Sequence, residues 1–326
     1  MIISRTPLRI SFAGGGTDLA VFYKKEGGEV ISTAIDKYMY VTVNKRFDDS
    51  IRLSYTKTEI VDHVDELHHE LVREAMKLTG VTKGVEITTI ADVPAKGTGL
   101  GSSSSLTVGL LNALYGYKGE RVTPRRLAEE ACKLEIDIVG EPIGKQDQYI
   151  AAFGGLKHII FKESEDVVVE PVLDNKNRMK RLEGNLMLFY TNISRDAGII
   201  LGQQKANSHG RIHILRDLKA MVGEFKSCLE KKRSRLEDFG YLLNKGWELK
   251  KKMTSSITNH LIDDWYKKAL DAGALGGKVV GAGGGGFMLL YCKKKHQKTV
   301  RKALSELHYM PIKFEQSGSR IIYAER

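Results

Sequence analysis

The chain has 326 residues, 42% of them hydrophobic and 28% charged, and its formal net charge is +11. This length supports one large domain or two ordinary ones, and the composition is typical of a soluble globular protein. The sequence lacks the roughly 18 consecutive apolar residues of a membrane helix and the pattern of a signal peptide, because Arg5 and Arg9 interrupt the first strand-like stretch, so we expect a cytoplasmic protein with no membrane partner.

The first third of the chain predicts strands around one amphipathic helix. Residues 2–15, IISRTPLRISFAGG, alternate between apolar and polar side chains and end in glycines, which predicts a strand that runs into a tight turn. Residues 38–47 and 84–90 are rich in β-branched and aromatic residues and predict further strands. Between them, residues 65–80 predict a helix with apolar positions at 67, 71, 75 and 78 and a glycine stop.

The rest of the chain mixes helices and strands without regular alternation. Thr123 and Pro124 predict the N-cap and first position of a helix that runs to about residue 140. Its apolar positions fall on one face: Leu127, Ala131, Leu134 and Ile138. Further strands are predicted within residues 185–192 and 286–292, with helical patterns between them. We therefore predict an α+β fold with two lobes, residues 1–180 and 181–326.

The stretch VPAKGTGLGSSSSLTVGLLNALY, residues 93–115, predicts a site for an anion. Gly97, Gly99 and Gly101 permit backbone conformations that a β-carbon would block, and the serines at 102–105 then begin an apolar helix. Free amide hydrogens and the positive end of the helix dipole converge there, which suits phosphate oxygens. The stretch is neither a Walker A loop nor a dinucleotide fingerprint, and a flexible loop that only caps the helix is the alternative.

Three other stretches carry groups that suit phosphate chemistry. Residues 5–19 place three glycines and then Asp18 after a strand, which would offer a carboxylate to hydroxyl groups. In residues 134–155, Glu135 and Asp147 come from different elements and could hold Mg²⁺ and direct an attacking alcohol, although surface charge is the plain alternative. Residues 281–286 contain five glycines between apolar runs, which predicts a close-packed loop over a ligand rather than a linker.

Together these stretches resemble the three ordered motifs of the GHMP small-molecule kinases, the family of galactokinase, homoserine kinase and mevalonate kinase. The resemblance spans residues 5–287 and keeps the family's motif order. It implies an α+β, two-lobed fold, with an N-terminal lobe like ribosomal protein S5 and a C-terminal ferredoxin-like lobe. It also implies an ATP-dependent kinase that uses Mg²⁺.

The resemblance gives each motif residue an expected role. Arg9 is expected near the transferring phosphoryl group and Asp147 as the catalytic carboxylate, while Ser103 and Glu135 are expected to hold Mg²⁺. The residues expected to bind the sugar are Gly14, Gly15, Gly16, Thr17, Asp18, Gly283 and Gly284. The residues expected to bind the nucleotide are Gly97, Gly99, Leu100, Gly101, Ser102, Ser103 and Ser104.

This sequence departs from the family pattern in three places. Gly99 lies five residues after Pro94, one more than the commonest spacing. Gly15 and Gly16 stand where galactokinases carry Glu and His, so we expect a sugar pocket with more room. Asp147 lies five residues after Pro142, one more than is common in the family.

The ISFAGGGTD start, the serine run and the KQDQ stretch most resemble bacterial D-glycero-D-manno-heptose phosphate kinases, with fucokinase-type domains next. This resemblance implies transfer of the ATP γ-phosphoryl group to the anomeric hydroxyl of heptose 7-phosphate, towards nucleotide-activated heptose for surface polysaccharide. The alternatives are a fucokinase- or galactokinase-like kinase of an unphosphorylated sugar, and a ligand-sensing homologue without turnover. Arg195 and Lys205 are candidate partners of a sugar phosphate, beside ordinary surface roles.

The positive charge fits an anionic small molecule as well as a nucleic acid. The basic runs lie apart, at residues 176–181, 230–235, 249–253 and 292–298, with little aromatic interleaving. Charge alone does not decide between these partners. The family resemblance implies a sugar phosphate, and no nucleic acid, as the partner. The oligomeric state stays open, with a homodimer as one option.

Overall fold

A computed structural model describes residues 1–94, 97–172, 175–193, 200, 202, 210–231 and 234–325 of the chain. Within these residues the strands form an eight-stranded and a four-stranded sheet, and helices pack against both. The predicted α+β class is confirmed. The division at residue 180 stays a prediction.

The larger sheet holds most of the N-terminal strands and also receives the last strand of the chain. Its strands are β1 (Ile2–Ala13), β2 (Gly28–Lys45), β3 (Ile51–Ser54), β4 (Thr58–Val61), β5 (Val85–Ala91), β6 (Leu156–Phe161), β7 (Val167–Pro171) and β12 (Arg320–Ala324). The order is β12-β1-β2-β5-β3-β4, and β6 pairs with β2 and β7. Because β12 is antiparallel to β1, the chain ends beside its own first strand, with Ile2 opposite Ala324.

Five helices of the first half accompany this sheet: α1 (Ala20–Glu26), α2 (Glu70–Thr79), α3 (Ser102–Lys118), α4 (Pro124–Cys132) and α5 (Gln146–Phe153). Helix α3 is buried along most of its length and packs on β1 and β2. A Cβ at Gly109 would lie 2.6 Å from Thr6 Oγ1, so glycine lets α3 approach β1 closely. This contact brings the start of α3 beside Arg9, further along the same strand.

Helix α4 begins as predicted, but its continuation differs from the predicted regular helix. The hydroxyl of Thr123 accepts a hydrogen bond from the Arg126 amide, which confirms the N-cap. A π-helical segment, Lys133–Ile138, follows α4. Its wider turn changes the side-chain phase, so Glu135 is 0% exposed while Ile138 is 44% exposed. The predicted burial of Ile138 on the apolar face is therefore wrong.

Helix α2 also begins later than predicted, at Glu70 instead of residue 65. A 3₁₀ turn, Val64–Glu66, precedes it, and the Glu66 carboxylate accepts a hydrogen bond from the amide of Asp62. This local capping stabilises a separate turn before the helix. The helix consequently buries Val72 and Met76 beside Ala75.

The smaller sheet has the order β11-β8-β10-β9. Its strands are β8 (Leu186–Tyr190), β9 (Ala274–Val279), β10 (Phe287–Cys292) and β11 (His308–Met310). The accompanying helices are α6 (Lys176–Glu183), α7 (Ile212–Glu230), α8 (Glu237–Lys251), α9 (His260–Asp271) and α10 (Gln297–Ala303). One face of this sheet shares an apolar core with α7, α8 and the end of β1, and the other packs on α9 and α10. None of the described helices is both long and apolar enough to cross a bilayer.

Candidate active site

The loop before α3 has the backbone geometry of an anion-binding turn. Gly99 and Gly101 each have φ of 75°, which is unfavourable for residues with a β-carbon. Gly101 is the N-cap of α3, and a Cβ there would lie 3.1 Å from Arg9 Cγ and 3.3 Å from Asp147 Oδ2. Because the first-turn amides of a helix lack partners within the helix, Ser102 and Ser103 present N–H groups at this point. The loop is therefore suited to phosphate oxygens.

The second glycine-rich loop, residues 281–286, packs against the loop that precedes α3, residues 97–101, which we call the phosphate loop. A Cβ at Gly281 would lie 2.5 Å from Gly99 Cα, and the Phe287 amide donates to the Thr98 carbonyl at 3.2 Å. Gly284 donates its amide to the Ile257 carbonyl at 2.6 Å. The hydrogen bonds of this loop are with other parts of the protein, including the Lys250 ammonium and the Thr191 hydroxyl. The roles of Gly283 and Gly284 towards a sugar stay predictions.

Arg9 and Asp147 form a bidentate ion pair beside the phosphate loop. Arg9 Nε donates to Asp147 Oδ1 at 2.6 Å, and Arg9 Nη2 contacts Asp147 Oδ2. Arg9 Nη1 donates to the Gly99 carbonyl. The pair is largely buried, with side-chain exposures of 5% for Arg9 and 21% for Asp147. One guanidinium thus joins β1, the phosphate loop and the first turn of α5, and it keeps the partly open carboxylate in a fixed orientation.

Glu135 is held by neutral donors instead of a cation. Ser103 Oγ donates to Glu135 Oε1 at 3.0 Å, and Ser104 Oγ donates to Oε2 at 2.8 Å. Gln148 Nε2 also donates to Oε2, at 2.5 Å. Burial raises the pKa of Glu135 to about 7, although the hydrogen bonds from Ser104, Gln148 and Ser103 oppose this rise.

These oxygens fit a hard divalent cation. Carboxylate and hydroxyl oxygens are the ligands that Mg²⁺ prefers, and a buried carboxylate without a positive partner gains stability from a cation. The side-chain oxygen of Gln148 is buried and has no hydrogen-bond partner within the described part of the chain, so a further acceptor lies beside Glu135. No group of three or more His, Cys, Asp or Glu side chains suited to a metal occurs among the described residues. The candidate site therefore relies on one carboxylate, Ser103 and the oxygens of a bound phosphate.

Asp18 connects the glycine triplet to the loop that leads into α5. Its buried carboxylate accepts hydrogen bonds from the amides of Gly16 at 3.0 Å and Gln146 at 3.3 Å. A Cβ at Gly144 would overlap Asp18 Oδ2, so this contact requires a glycine. Burial, and next the charge of Asp147, raise the pKa of Asp18. Asp18 is therefore electrostatically coupled to the catalytic candidate.

Thr17 and Gly14 build the turn of the glycine triplet. Thr17 is buried, and its hydroxyl lies 2.8 Å from the carbonyl oxygens of both Gly14 and Glu29. The same oxygen accepts a hydrogen bond from the Glu29 amide at 3.0 Å. A Cβ at Gly14 would overlap the Glu29 carbonyl. Thr17 thus supports the loop in this structure, and its role towards a sugar stays a prediction.

The structure brings together Arg9, Asp147, Glu135 and the start of α3, as the motifs predict. Arg195 and Lys205, the candidate partners of a sugar phosphate, lie outside the described residues. Sequence reasoning missed Gln148, although it directly follows Asp147 in the KQDQ stretch. It also missed Lys278, a buried lysine on β9. The one sequence feature that could have indicated this residue is its position shortly before the second glycine-rich loop.

Comparison with known proteins gives matches over most of the chain. Residues 64–155 match the family model of the GHMP kinases N terminal domain, and residues 225–309 match that of the GHMP kinases C terminal. A D-glycero-alpha-D-manno-heptose 7-phosphate kinase of Campylobacter jejuni is 31% identical over 322 residues, covering 93% of this chain and 93% of that protein. A galactokinase of Pyrococcus furiosus is 27% identical, covering 93% and 92%. A solved D-glycero-D-manno-heptose 1-phosphate kinase from Bacteroides thetaiotaomicron has a TM-score of 0.82 at 26% identity and covers 100% of both chains.

Proposed function

Because this chain belongs to the GHMP kinase family, we propose that it transfers the γ-phosphoryl group of ATP to a hydroxyl of a sugar phosphate. The first candidate is the anomeric hydroxyl of D-glycero-D-manno-heptose 7-phosphate. The observation that carries the proposal is the bidentate Arg9–Asp147 pair beside the N-terminus of α3. It combines an oriented carboxylate with an anion-binding turn, which are the two parts that phosphoryl transfer to an alcohol requires.

The choice of acceptor follows from the relatives. The Campylobacter protein and the Bacteroides structure are both heptose phosphate kinases, although their names give different positions for the phosphate. Their shared substrate class supports a phosphorylated heptose for this chain. The product would then be a precursor of nucleotide-activated heptose. The cytoplasmic location expected from the sequence belongs to the same proposal.

On the nucleotide side, the phosphate loop and the first turn of α3 hold the triphosphate. Ser103 and Glu135 hold Mg²⁺, which supplies charge neutralisation of the phosphate oxygens when bound. Arg9 fixes the Gly99 carbonyl and Asp147 together, so the loop and the carboxylate keep their relative positions. This preorganisation contributes to the rate because phosphoryl transfer depends mainly on positioning.

On the acceptor side, Asp147 orients the attacking hydroxyl and accepts its proton as the new bond forms. Two of its contacts are with Arg9, and the exposed part of the side chain remains for the acceptor. Asp18 and the glycine triplet hold the sugar. Since Asp18 accepts amides from both Gly16 and Gln146, it also fixes the sugar loop against the start of α5.

The test is an ADP-release assay with Mg²⁺-ATP and a panel of acceptors: heptose 7-phosphate, mannose 6-phosphate, mannose, fucose and galactose. We expect the highest kcat/KM with heptose 7-phosphate, and phosphorus NMR of the product should show a new anomeric phosphate. The Asp147→Asn variant is the inactive control.

A second candidate is a kinase of an unphosphorylated sugar, which the galactokinase relative supports. Faster turnover of galactose or fucose than of any sugar phosphate would establish this alternative and overturn the first. ADP release with none of the five acceptors, from protein that binds ATP, would instead favour the homologue without turnover.

A further inference from the structure

A small cavity behind the glycine triplet is lined by two buried lysines. Its volume is about 20 Å³, and its walls include the backbone of Gly14 and Gly15 together with Lys250 and Lys278. The remaining walls are mostly apolar and come from the end of β1 and from helices α7 and α8. A cavity of this size accommodates one water-sized group. It lies outside the nucleotide loop, because none of the residues 97–104 lines it.

Lys278 reaches this cavity from the smaller sheet. It lies opposite Leu289 in the β9–β10 register and therefore on the same face, the one that packs against β1. Its ammonium donates to the carbonyl oxygens of Ser11 at 3.1 Å and Phe12 at 3.4 Å. These are the residues just before the glycine triplet, so the lysine contacts the strand from which the predicted sugar loop emerges.

None of the acids that the structure describes balances the charge of Lys278. Lys278 is 8% exposed, and among the residues that the structure describes no carboxylate forms an ion pair with it. Burial, and next the positive charge of Arg9, lower the pKa of Lys278 to about 8. A buried ammonium near a second cation is unfavourable, and two carbonyl groups do not neutralise it. An anionic group would remove this cost.

Two further polar groups surround the same place. The ammonium of Lys250, on α8, is buried and donates to the Gly281 carbonyl. Among the described residues the buried hydroxyl of Ser11 has no hydrogen-bond partner, and a Cβ at Gly15 would lie 3.9 Å from it. Lys250 and Lys278 thus line the cavity, and the Ser11 hydroxyl lies near Gly15. The amide of Gly16, in the same triplet, donates to Asp18. This donor set matches an anionic oxygen.

We propose that Lys278 and Lys250 form the subsite for the phosphate that the acceptor sugar already carries, with one phosphate oxygen entering the cavity beside Gly14 and Gly15. The inference rests on the proposed function, because it assumes an acceptor held by the glycine triplet. The phosphates of the nucleotide are the alternative occupant of this cavity. They are disfavoured because none of the residues 97–104 lines the cavity. The subsite would make a phosphorylated sugar a better acceptor than the same sugar without its phosphate.

The experiment compares kcat/KM for mannose 6-phosphate and mannose in wild type, Lys278→Met and Lys250→Met at neutral pH. A lost charge-assisted hydrogen bond corresponds to roughly 10- to 100-fold. We expect a loss of that size for mannose 6-phosphate and less than about threefold for mannose. Lys245→Met is the matched control, because Lys245 lies on the same helix as Lys250 but is exposed and paired with Glu224. The Lys245→Met variant should leave kcat/KM unchanged for both acceptors.

Equal losses for both acceptors, or weaker ATP binding in Lys278→Met, would overturn the subsite. If Lys278→Met does not fold, Lys278→Arg and Lys250→Met replace it. The subsite is supported if Lys278→Arg keeps the preference for mannose 6-phosphate and Lys250→Met loses it. Any other pattern overturns the subsite.

Calorimetry separates this inference from the proposed function. Inorganic phosphate is titrated into wild type and Lys278→Met with Mg²⁺-ADP bound at the nucleotide loop. If wild type phosphorylates no sugar, the proposed function fails, and phosphate binding that is lost in Lys278→Met still supports the subsite. Absence of phosphate binding to wild type, together with no preference for mannose 6-phosphate, overturns the subsite even if sugars are phosphorylated.

Discussion

Asp147 and Glu135 are carboxylates that face the start of the same helix, yet their surroundings differ in kind. Asp147 is held by the charged guanidinium of Arg9 and keeps an exposed edge. Glu135 is fully buried and is held by the hydroxyls of Ser103 and Ser104 and the amide of Gln148. Neutral donors orient a carboxylate without neutralising it, so burial raises the pKa of Glu135 to about 7.

The difference indicates two tasks. A carboxylate already paired with arginine has a fixed orientation and gains little from another cation, which suits it to direct a hydroxyl proton. A buried carboxylate surrounded by neutral donors lacks a positive partner and therefore favours a divalent cation. The four predictions below test this assignment, from the largest expected effect to the smallest.

Replacing Asp147 with Asn should have the largest effect, because it removes the group that accepts the acceptor's proton. We expect kcat to fall by roughly 10²-fold or more, as losses of a general base do, while ATP binding measured by calorimetry changes little. Asp166→Asn, a change at an exposed carboxylate of a surface turn, is the control. Near-normal turnover of Asp147→Asn would remove Asp147 from the mechanism.

The pH dependence of stability should contain a contribution from Glu135. Its raised pKa means that the folded chain binds a proton more tightly than the unfolded chain, so the contribution is present below pH 4.5 and is lost as pH rises to about 7. The shift corresponds to about 3 kcal/mol of unfolding free energy, measured by urea denaturation without Mg²⁺.

The Glu135→Gln variant tests the origin of this pH dependence, because it keeps the shape of the side chain and removes its titration. We expect the variant to lose less stability than wild type between about pH 5 and about pH 8. Equal slopes in the two proteins would show that other groups control the stability and would contradict the isolated charge of Glu135.

Replacing Gln148 with Met should weaken cation binding without changing the Arg9–Asp147 pair. The substitution removes the amide that orients Glu135 Oε2, and the loss of such outer contacts costs about tenfold in metal affinity. Electron paramagnetic resonance of Mn²⁺ added to the ADP complex measures this metal affinity directly. Gln146→Met is the matched control. The side-chain oxygen of Gln146 is also buried and has no hydrogen-bond partner in the parts of the chain that the structure describes, but its side-chain amide does not contact Glu135. The same weakening in both variants would argue against an orienting role of Gln148.

Replacing Thr123 with Ala should have the smallest effect and separates stability from chemistry. The hydroxyl of Thr123 caps α4, the helix that leads into the segment with Glu135, and loss of such a cap costs about 1 kcal/mol. Urea unfolding should show this loss, while Mn²⁺ affinity stays at the wild-type value. A parallel fall in Mn²⁺ affinity would mean that the position of Glu135 depends on the stability of α4.

The α+β class and the members of the candidate site were predictable where local chemistry dominates. Glycines at 97, 99 and 101 before a serine-rich helix start indicated the anion-binding turn, and Gly101 is indeed its N-cap with positive φ. The N-cap of α4 was also predictable from the sequence. Thr123 acts through a local hydrogen bond, and Pro124 acts through its fixed φ.

The features that the sequence did not predict depend on the phase of a helix or on distant contacts. A regular period placed Ile138 inside, but the π-helical segment turns Glu135 inward and leaves Ile138 exposed. Lys278 contacts the carbonyls of Ser11 and Phe12 across more than 260 positions. No local pattern indicates which lysine becomes buried by such a contact.

The pairing of β12 with β1 also affects how the enzyme is made. During synthesis, residues 2–13 leave the ribosome long before residues 320–324, so the strand that carries Arg9 spends most of translation without one of its two neighbours. An unpaired strand edge in a nascent chain exposes hydrogen-bonding groups that favour aggregation. Activity should therefore appear only after residues 320–324 have left the ribosome.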